Sequence, residues 1–337
     1  MRTPIQTLVL LGLVALGAAA IPARAADVSI LNVSYDPTRE LYQQLNPLFI
    51  AQWKEKTGET VTIRQSHGGS SKQARAIIDG LEADVATLGI ASDIDALVEH
   101  GGLVPANWQD LLPGDSTPYV STLVFLVRKG NPKGIADWGD LAKPGIAVIT
   151  PNPKTSAAAR WAVIAAWAWA LKHNDADEAK GFEFLRKVFA NVPVLDTGAR
   201  GSTVTFAQRG LGDVLIAWEN EAHLVLKEFG AGKFDIVVPP FSILAQPPVA
   251  VVEKNATKRG TGRVARAYLE FLYTEQAQEV IARNHYRPLH AAVAARHESA
   301  FPKIELVNIR DFGGWKLVQP KFFGDGGIFD QIYATRK

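Results

Sequence analysis

Three stretches of the chain put glycine, serine or threonine where an apolar run gives way to a helical one. In Val148-Ile-Thr-Pro-Asn-Pro-Lys-Thr-Ser-Ala-Ala-Ala-Arg160, a β-rich run ends in two prolines, and Thr155 and Ser156 open a helical pattern reaching Leu171. Proline stops a strand, and Ser or Thr at an N-cap starts a helix. Ile63-Arg-Gln-Ser-His-Gly-Gly-Ser-Ser-Lys-Gln-Ala-Arg75 repeats the arrangement, with Gly68 and Gly69 ahead of Ser70 and Ser71. Val194-Leu-Asp-Thr-Gly-Ala-Arg-Gly-Ser-Thr-Val-Thr205 repeats it again, with Gly198 and Gly201 around Ala199 and Arg200. The chemistry on offer is anion binding. The first turn of a helix leaves backbone N–H groups unpartnered and carries partial positive charge, so a hydroxyl beside it suits a tetrahedral oxyanion.

Taken singly, a serine is better explained as a helix cap, and Trp218 in its apolar run as a core aromatic. Catalytic and nucleotide motifs are missing. No Gly-Lys-Ser/Thr completes a Walker loop, and neither glycine pair makes a dinucleotide fingerprint. The seven histidines show no metal-ligand spacing, and no Ser-His-Asp order stands out.

The elements that must position these loops alternate along the chain. Strands are expected at 28–33, 60–65, 85–88, 121–128, 146–149, 192–195, 214–218 and 247–253. Helices are expected at 37–57, 70–81, 94–99, 156–173, 177–190, 203–209, 221–229 and 263–284, the first with Asp36 as N-cap and Pro37 in its first position. Strands interleaved with helices imply an α/β fold on mostly parallel sheets. The apolar run at 121–128 reads as a crossing into a second domain, and Pro247-Pro248 begins the return. The expected division is a first domain of 26–120 with 247–337, and a second of 121–246. In such folds ligands sit at the carboxyl ends of strands, where all three loops fall.

Residues 1–25 are expected to lie outside the fold. Arg2, the apolar run 8–20 and the small-x-small Ala23-Arg24-Ala25 read as a secretory signal cleaved after Ala25, which implies export to the periplasm or its equivalent. No second apolar segment is long enough to span a bilayer. The absence of cysteine excludes disulfides, thiolate metal sites and persulfide chemistry. The chain has 36 Lys+Arg against 34 Asp+Glu, and removing Arg2 and Arg24 with the leader balances them. A neutral protein is a poor nucleic-acid binder, so anion selectivity has to come from local geometry.

Asn32-Val-Ser-Tyr-Asp-Pro-Thr-Arg-Glu-Leu41, Arg64-Gln-Ser-His-Gly-Gly-Ser70, Asn152-Pro-Lys-Thr-Ser-Ala-Ala-Ala-Arg160, Gly198-Ala-Arg-Gly-Ser-Thr203 and Asp213-Val-Leu-Ile-Ala-Trp-Glu-Asn-Glu-Ala222 together resemble the periplasmic sulfate-binding proteins, the soluble receptors of sulfate and thiosulfate ABC importers. The likeness runs from about residue 27 to residue 333. It implies a two-domain solute-binding fold of type II, with hinged parallel or mixed sheets and a ligand cleft between them. It also implies a ligand set of Ser70, Ser156, Ala157, Ala158, Ala199 and Trp218. The serines would give hydroxyls, the alanines backbone N–H groups, and Trp218 its indole N–H, which can only donate. Asp36 would orient the donors or the closed domains without touching the anion. Arg160 and Arg200 would work from behind, on loop carbonyls or acids. The family usually carries glycine where this chain has Ala157 and Ala158. Alanine keeps the N–H, but its methyl could crowd the ligand and shift preference among oxyanions.

A helix end returns only about 0.3–1 kcal/mol to an anion, whereas a hydrogen bond to a charged acceptor is worth about 1.5–3 kcal/mol. Donors must therefore carry the binding. A donors-only pocket favours sulfate over phosphate, whose remaining proton would face another donor. The expectation is an exported sulfate receptor, not an enzyme, that hands its ligand to a membrane permease driven by a cytoplasmic ATPase. It is expected to be monomeric, with no cofactor, metal or nucleic-acid partner. Thiosulfate is the alternative ligand. The rival is an exported phosphoryl- or sulfuryl-ester enzyme, which would need a general base or metal near Ser156.

Overall fold

Valine- and isoleucine-rich runs form the two larger sheets of the computed structural model, which describes residues 27–334. The signal segment expected at 1–25 lies outside the described residues. In the first sheet the order is Val249–Val251, Val85–Thr87, Val28–Tyr35, Val61–Gly68. Val28–Tyr35 is parallel to both its neighbours, and Val249–Val251 is antiparallel to Val85–Thr87. In the second the order is Leu195–Asp196, Val148–Pro151, Val214–Trp218, Leu123–Arg128, Phe234–Val237. Val148–Pro151 is parallel to both its neighbours, and Leu123–Arg128 antiparallel to both of its own. Each sheet with its helices makes one lobe of a mixed α/β, two-lobed fold. Two of the chain's crossings lie side by side, where Ser121 and Ala245 exchange backbone hydrogen bonds at 2.9 Å.

Register sets where the loops emerge. Tyr35 pairs with Gly68, so Asp36 and Gly69 leave the first sheet side by side at its carboxyl end. Pro151 pairs with Asp196 in the same way in the second sheet. Leu45, Phe49 and Trp53 of the helix Arg39–Thr57 pack on Tyr268 and Leu269 to form the first lobe's core.

The second lobe is built around the helix Ala157–Lys172, in which 13 of 16 residues are buried. A helix that is apolar all round needs cover on every side. The chain's last segment supplies it: Trp315 meets Trp161 edge-on at 4.8 Å between centroids, and Phe322 meets Trp167 at 5.1 Å. Residues 309–332 therefore join the core of the second sheet, whereas the sequence grouped all of 247–337 with the first.

Three element expectations also change. The strand Val28–Tyr35 runs further than expected, so Tyr35 takes the N-cap position. Asp36 is not a cap but the first residue of a 3-10 turn, Asp36–Thr38, that leads into Arg39–Thr57. The helix expected over 203–209 begins earlier, as Ala199–Thr203, and continues as a π-helical turn, Val204–Gln208. The single helix expected over 263–284 is two, Gly262–Phe271 and Glu275–Arg283. Thr274 restarts it by accepting the Ala277 N–H at 3.3 Å.

Candidate ligand-binding cleft

Four helix starts meet between the lobes: Asp36–Thr38 and Ser70–Ile78 from the first, Ala157–Lys172 and Ala199–Thr203 from the second. They surround a small cavity whose walls include Ser70, Ser156, Ala157, Ala158, Ala199 and Trp218, with Tyr35, Asp36, Pro37, Gly68 and Gly69. All six residues assigned as donors from the sequence are thus brought together, and Asp36 with them. Arg160 and Arg200 do not line the cavity. A larger cavity lies between the lobes beside Asp95, Trp108 and Trp315, and none of the assigned donors lines it.

In the second lobe, Ser156 holds an extended N-cap conformation and its hydroxyl makes no capping bond to the helix. Its own N–H is engaged by the Asn152 carbonyl at 2.9 Å. The N–H groups of Ala157 and Ala158 fall in the first turn, where no helical carbonyl reaches them. Ala199 occupies the same position in its helix, behind the extended Gly198. Trp218 ends its strand fully buried, its ring 5.5 Å from that of Tyr35, and its indole Nε1 has no hydrogen-bond partner. Buried donors are nearly always paired, and leaving one unmet costs about 1–3 kcal/mol. An orphaned donor in a cavity wall marks a place for an acceptor.

In the first lobe, Gly69 is where the two lobes touch. A side chain there would stand 2.6 Å from the carbonyl oxygens of both Thr155 and Thr197. Ser70 lines the cavity, but its hydroxyl is not free for a ligand. It donates to Asp93 Oδ2 at 2.5 Å and accepts the Gly89 N–H at 2.9 Å. Asp93 is buried, which raises its pKa, and Arg160 and then Ser70 pull it back. The sequence-based role for the Ser70 hydroxyl is therefore corrected: what Ser70 has left to offer is its first-turn N–H.

Charge is arranged behind the walls. The Asp36 carboxylate lies against Gly198; burial raises its pKa, while Arg39, Arg200 and Lys72 lower it. The Arg200 guanidinium donates to Glu40 Oε2 of the first lobe at 2.9 Å. Its Nε lies 3.1 Å from Glu221 Oε1 without the alignment of a hydrogen bond, and Nη1 lies 3.7 Å from Glu228. Burial pushes the Glu221 carboxyl up to about 7 against Arg200 and a hydrogen bond from Thr203. Arg160 is buried; it donates to the Pro153 carbonyl at 2.7 Å and to Gln319 at 3.0 Å, and lies 3.5 Å from Asp93 across the lobe boundary. His67 sits with Nδ1 2.5 Å from Ser34 Oγ, and burial, helped by Arg39 and Arg200, pushes it down to about 4. Lys154 turns away to Asp330. Sequence reasoning missed Glu40, Gly89, Asp93 and Glu221, each separated from its partner by a different element.

With N–H and O–H donors around it and no basic side chain in its walls, the cavity can hold a small, fully ionised oxyanion. Residues 31–287 match the family described as bacterial extracellular solute-binding protein. The chain is 58% identical over 315 residues to the sulfate-binding protein of Escherichia coli (strain K12), covering 93% of this chain and 95% of that one. It is 49% identical over 323 residues to the thiosulfate-binding protein of Pseudomonas aeruginosa, covering 96% and 97%. Among solved structures, a sulfate-binding protein from Mycobacterium tuberculosis H37Rv matches with a TM-score of 0.80 at 35% identity, over 88% of this chain and 99% of that chain.

Proposed function

This chain belongs to the bacterial extracellular solute-binding proteins, and within them to the sulfate-binding proteins; on that premise we propose that it captures sulfate with uncharged donors for delivery to an ABC importer. The observation that carries the reading is the buried, unpartnered Trp218 indole N–H in a cavity formed by helix starts. In this reading the ligand takes the Trp218 N–H, the Ser156 hydroxyl and the first-turn N–H groups of Ser70, Ala157, Ala158 and Ala199. Each bond to the dianion is worth about 1.5–3 kcal/mol. Asp36 keeps its carboxylate against Gly198, at the lobe contact. Arg160 fixes the Pro153 loop and Arg200 the Gly198 loop. Their pairs with Asp93 and Glu40 are made only with the lobes together, so they support closure over the anion.

Sulfate is preferred to thiosulfate because the sulfate-binding relative is the more similar of the two. Phosphate is disfavoured because its proton needs an acceptor, and the cavity walls are otherwise made of donors, with Asp36 as their one carboxyl, held against Gly198. The relatives it matches are binding proteins, which favours capture over ester hydrolysis. The protein would act in the periplasm as a monomer after cleavage following Ala25, without cofactor or metal, and pass its ligand to a permease coupled to a cytoplasmic ATPase. Ion chromatography of the anion released by denaturing protein purified without added sulfate tests the reading. Sulfate at close to one equivalent is expected; phosphate or a carboxylate in its place overturns it.

A further inference from the structure

A second feature joins the lobes outside the anion cavity. His223 on the helix Glu219–Phe229 of the second lobe and His285, just past the helix Glu275–Arg283 of the first, stack with ring centroids 3.8 Å apart and planes 6° apart. His285 adopts φ +59, the left-handed backbone in which a chain leaving a helix ordinarily carries glycine or asparagine. A residue held there against its backbone preference points to a use for its side chain. Its Nδ1 is buried without a partner.

The surrounding charges come from three elements. Lys227 lies one turn beyond His223 on the same helix, Arg283 and Tyr286 flank His285, and Glu40 approaches from the helix Arg39–Thr57. Glu40 is already held by Arg200, and Glu221, two residues from His223, is engaged by Arg200 and Thr203. Neither carboxylate is free to neutralise an imidazolium, whereas Lys227 and Arg283 would oppose one.

We propose that this histidine pair couples lobe closure to protonation: the lobes close over the ligand with both rings neutral, and charging the pair favours the open form. Two parallel imidazoliums at stacking distance repel, and separating the lobes relieves them. Burial, and then the charge of His285, pushes His223 down to about 4; burial and then Lys227 push His285 down as well. An exposed histidine titrates near 6.5. Between those values the closed form binds fewer protons than the open one, so closure expels protons and affinity falls as pH drops through that window. Glu221 titrates in the opposite sense but is common to wild type and variants, so comparing them cancels it.

The inference rests on the sulfate reading, which supplies the measurement. Sulfate affinity of the mature chain is measured by titration calorimetry at pH 7.5 and 5.0 for wild type, His285→Asn and His223→Gln. Asparagine tolerates the left-handed backbone and carries no charge. Wild type is expected to lose about thirty-fold or more in affinity between the two pH values, and each variant, with one imidazole removed from the stack, clearly less. Equal losses in wild type and variants, with normal binding at pH 7.5, overturn the coupling alone. No heat from sulfate at pH 7.5 overturns the sulfate reading with it.

Discussion

Gly89 of the first lobe lies so close to Ala157 of the second that a β-carbon added to Gly89 would stand 2.5 Å from the Ala157 methyl. The Gly89 carbonyl also accepts the Trp161 indole N–H at 2.8 Å across the same boundary. The Ala157 methyl, suspected from the sequence of crowding the ligand, therefore faces the other lobe. Gly89→Ala should strain the closed form alone. Overpacking of this kind costs about 1–3 kcal/mol, so sulfate affinity should fall roughly 5- to 150-fold with little change in the melting temperature of the ligand-free protein. An equal loss in ligand-free stability would show that the strain lies within one lobe.

Trp218→Phe keeps an aromatic ring beside Tyr35 and removes one donor. Affinity should drop by about 1.5–3 kcal/mol by calorimetry, and ligand-free stability should fall only by the packing lost when the fully buried indole becomes a phenyl, because the N–H itself had no partner in the fold. An unchanged affinity would remove Trp218 from the ligand set.

The two cavity serines should separate. Ser156→Ala should cost roughly 10- to 150-fold in affinity and little stability, since that hydroxyl caps nothing. Ser70→Ala should act mainly on stability, by about 1–3 kcal/mol, because it strips a donor from buried Asp93. Melting curves and sulfate titrations on both variants check this, and the reverse pattern would refute the assignment.

Glu221 makes stability depend on pH. Its carboxyl is raised from the ordinary 4.5 to about 7 in the folded protein, so the native state holds the proton more tightly than the unfolded chain does. That contribution is therefore present below about pH 4.5 and lost as pH rises toward 7. Glu221→Gln carries no charge at any pH and should flatten this fall. Thermal melts at pH 5, 6, 7 and 8 should show a steeper decline for wild type; parallel curves would contradict it.

Much of the site could be read in the sequence because its signals are local. A strand, small residues and a helix start lie within a dozen positions at Ser70, Ser156 and Ala199, and those loops do converge. What could not be read depends on contacts between distant segments. The Ser70 hydroxyl looks free until Asp93, on another helix, is found to hold it. Asp36 looks like a cap until the strand pairing extends to Tyr35. Trp315 and Phe322 carry no mark of which lobe they will cover, and only the outer face of Ala157–Lys172 settles it. The break at Thr274 was legible in principle, as a threonine three residues before Ala277, but the apolar periodicity on either side hid it.

The central claim is that N–H and O–H donors, without a basic side chain in contact, hold a fully ionised tetrahedral anion and reject a protonated one. Titration calorimetry at pH 7.5 with sulfate and phosphate side by side tests it most directly. The account predicts one sulfate per chain at micromolar affinity or tighter and phosphate at least a hundred-fold weaker, a gap of about 2.7 kcal/mol. Phosphate binding as tightly as sulfate, or no heat from sulfate, would contradict it.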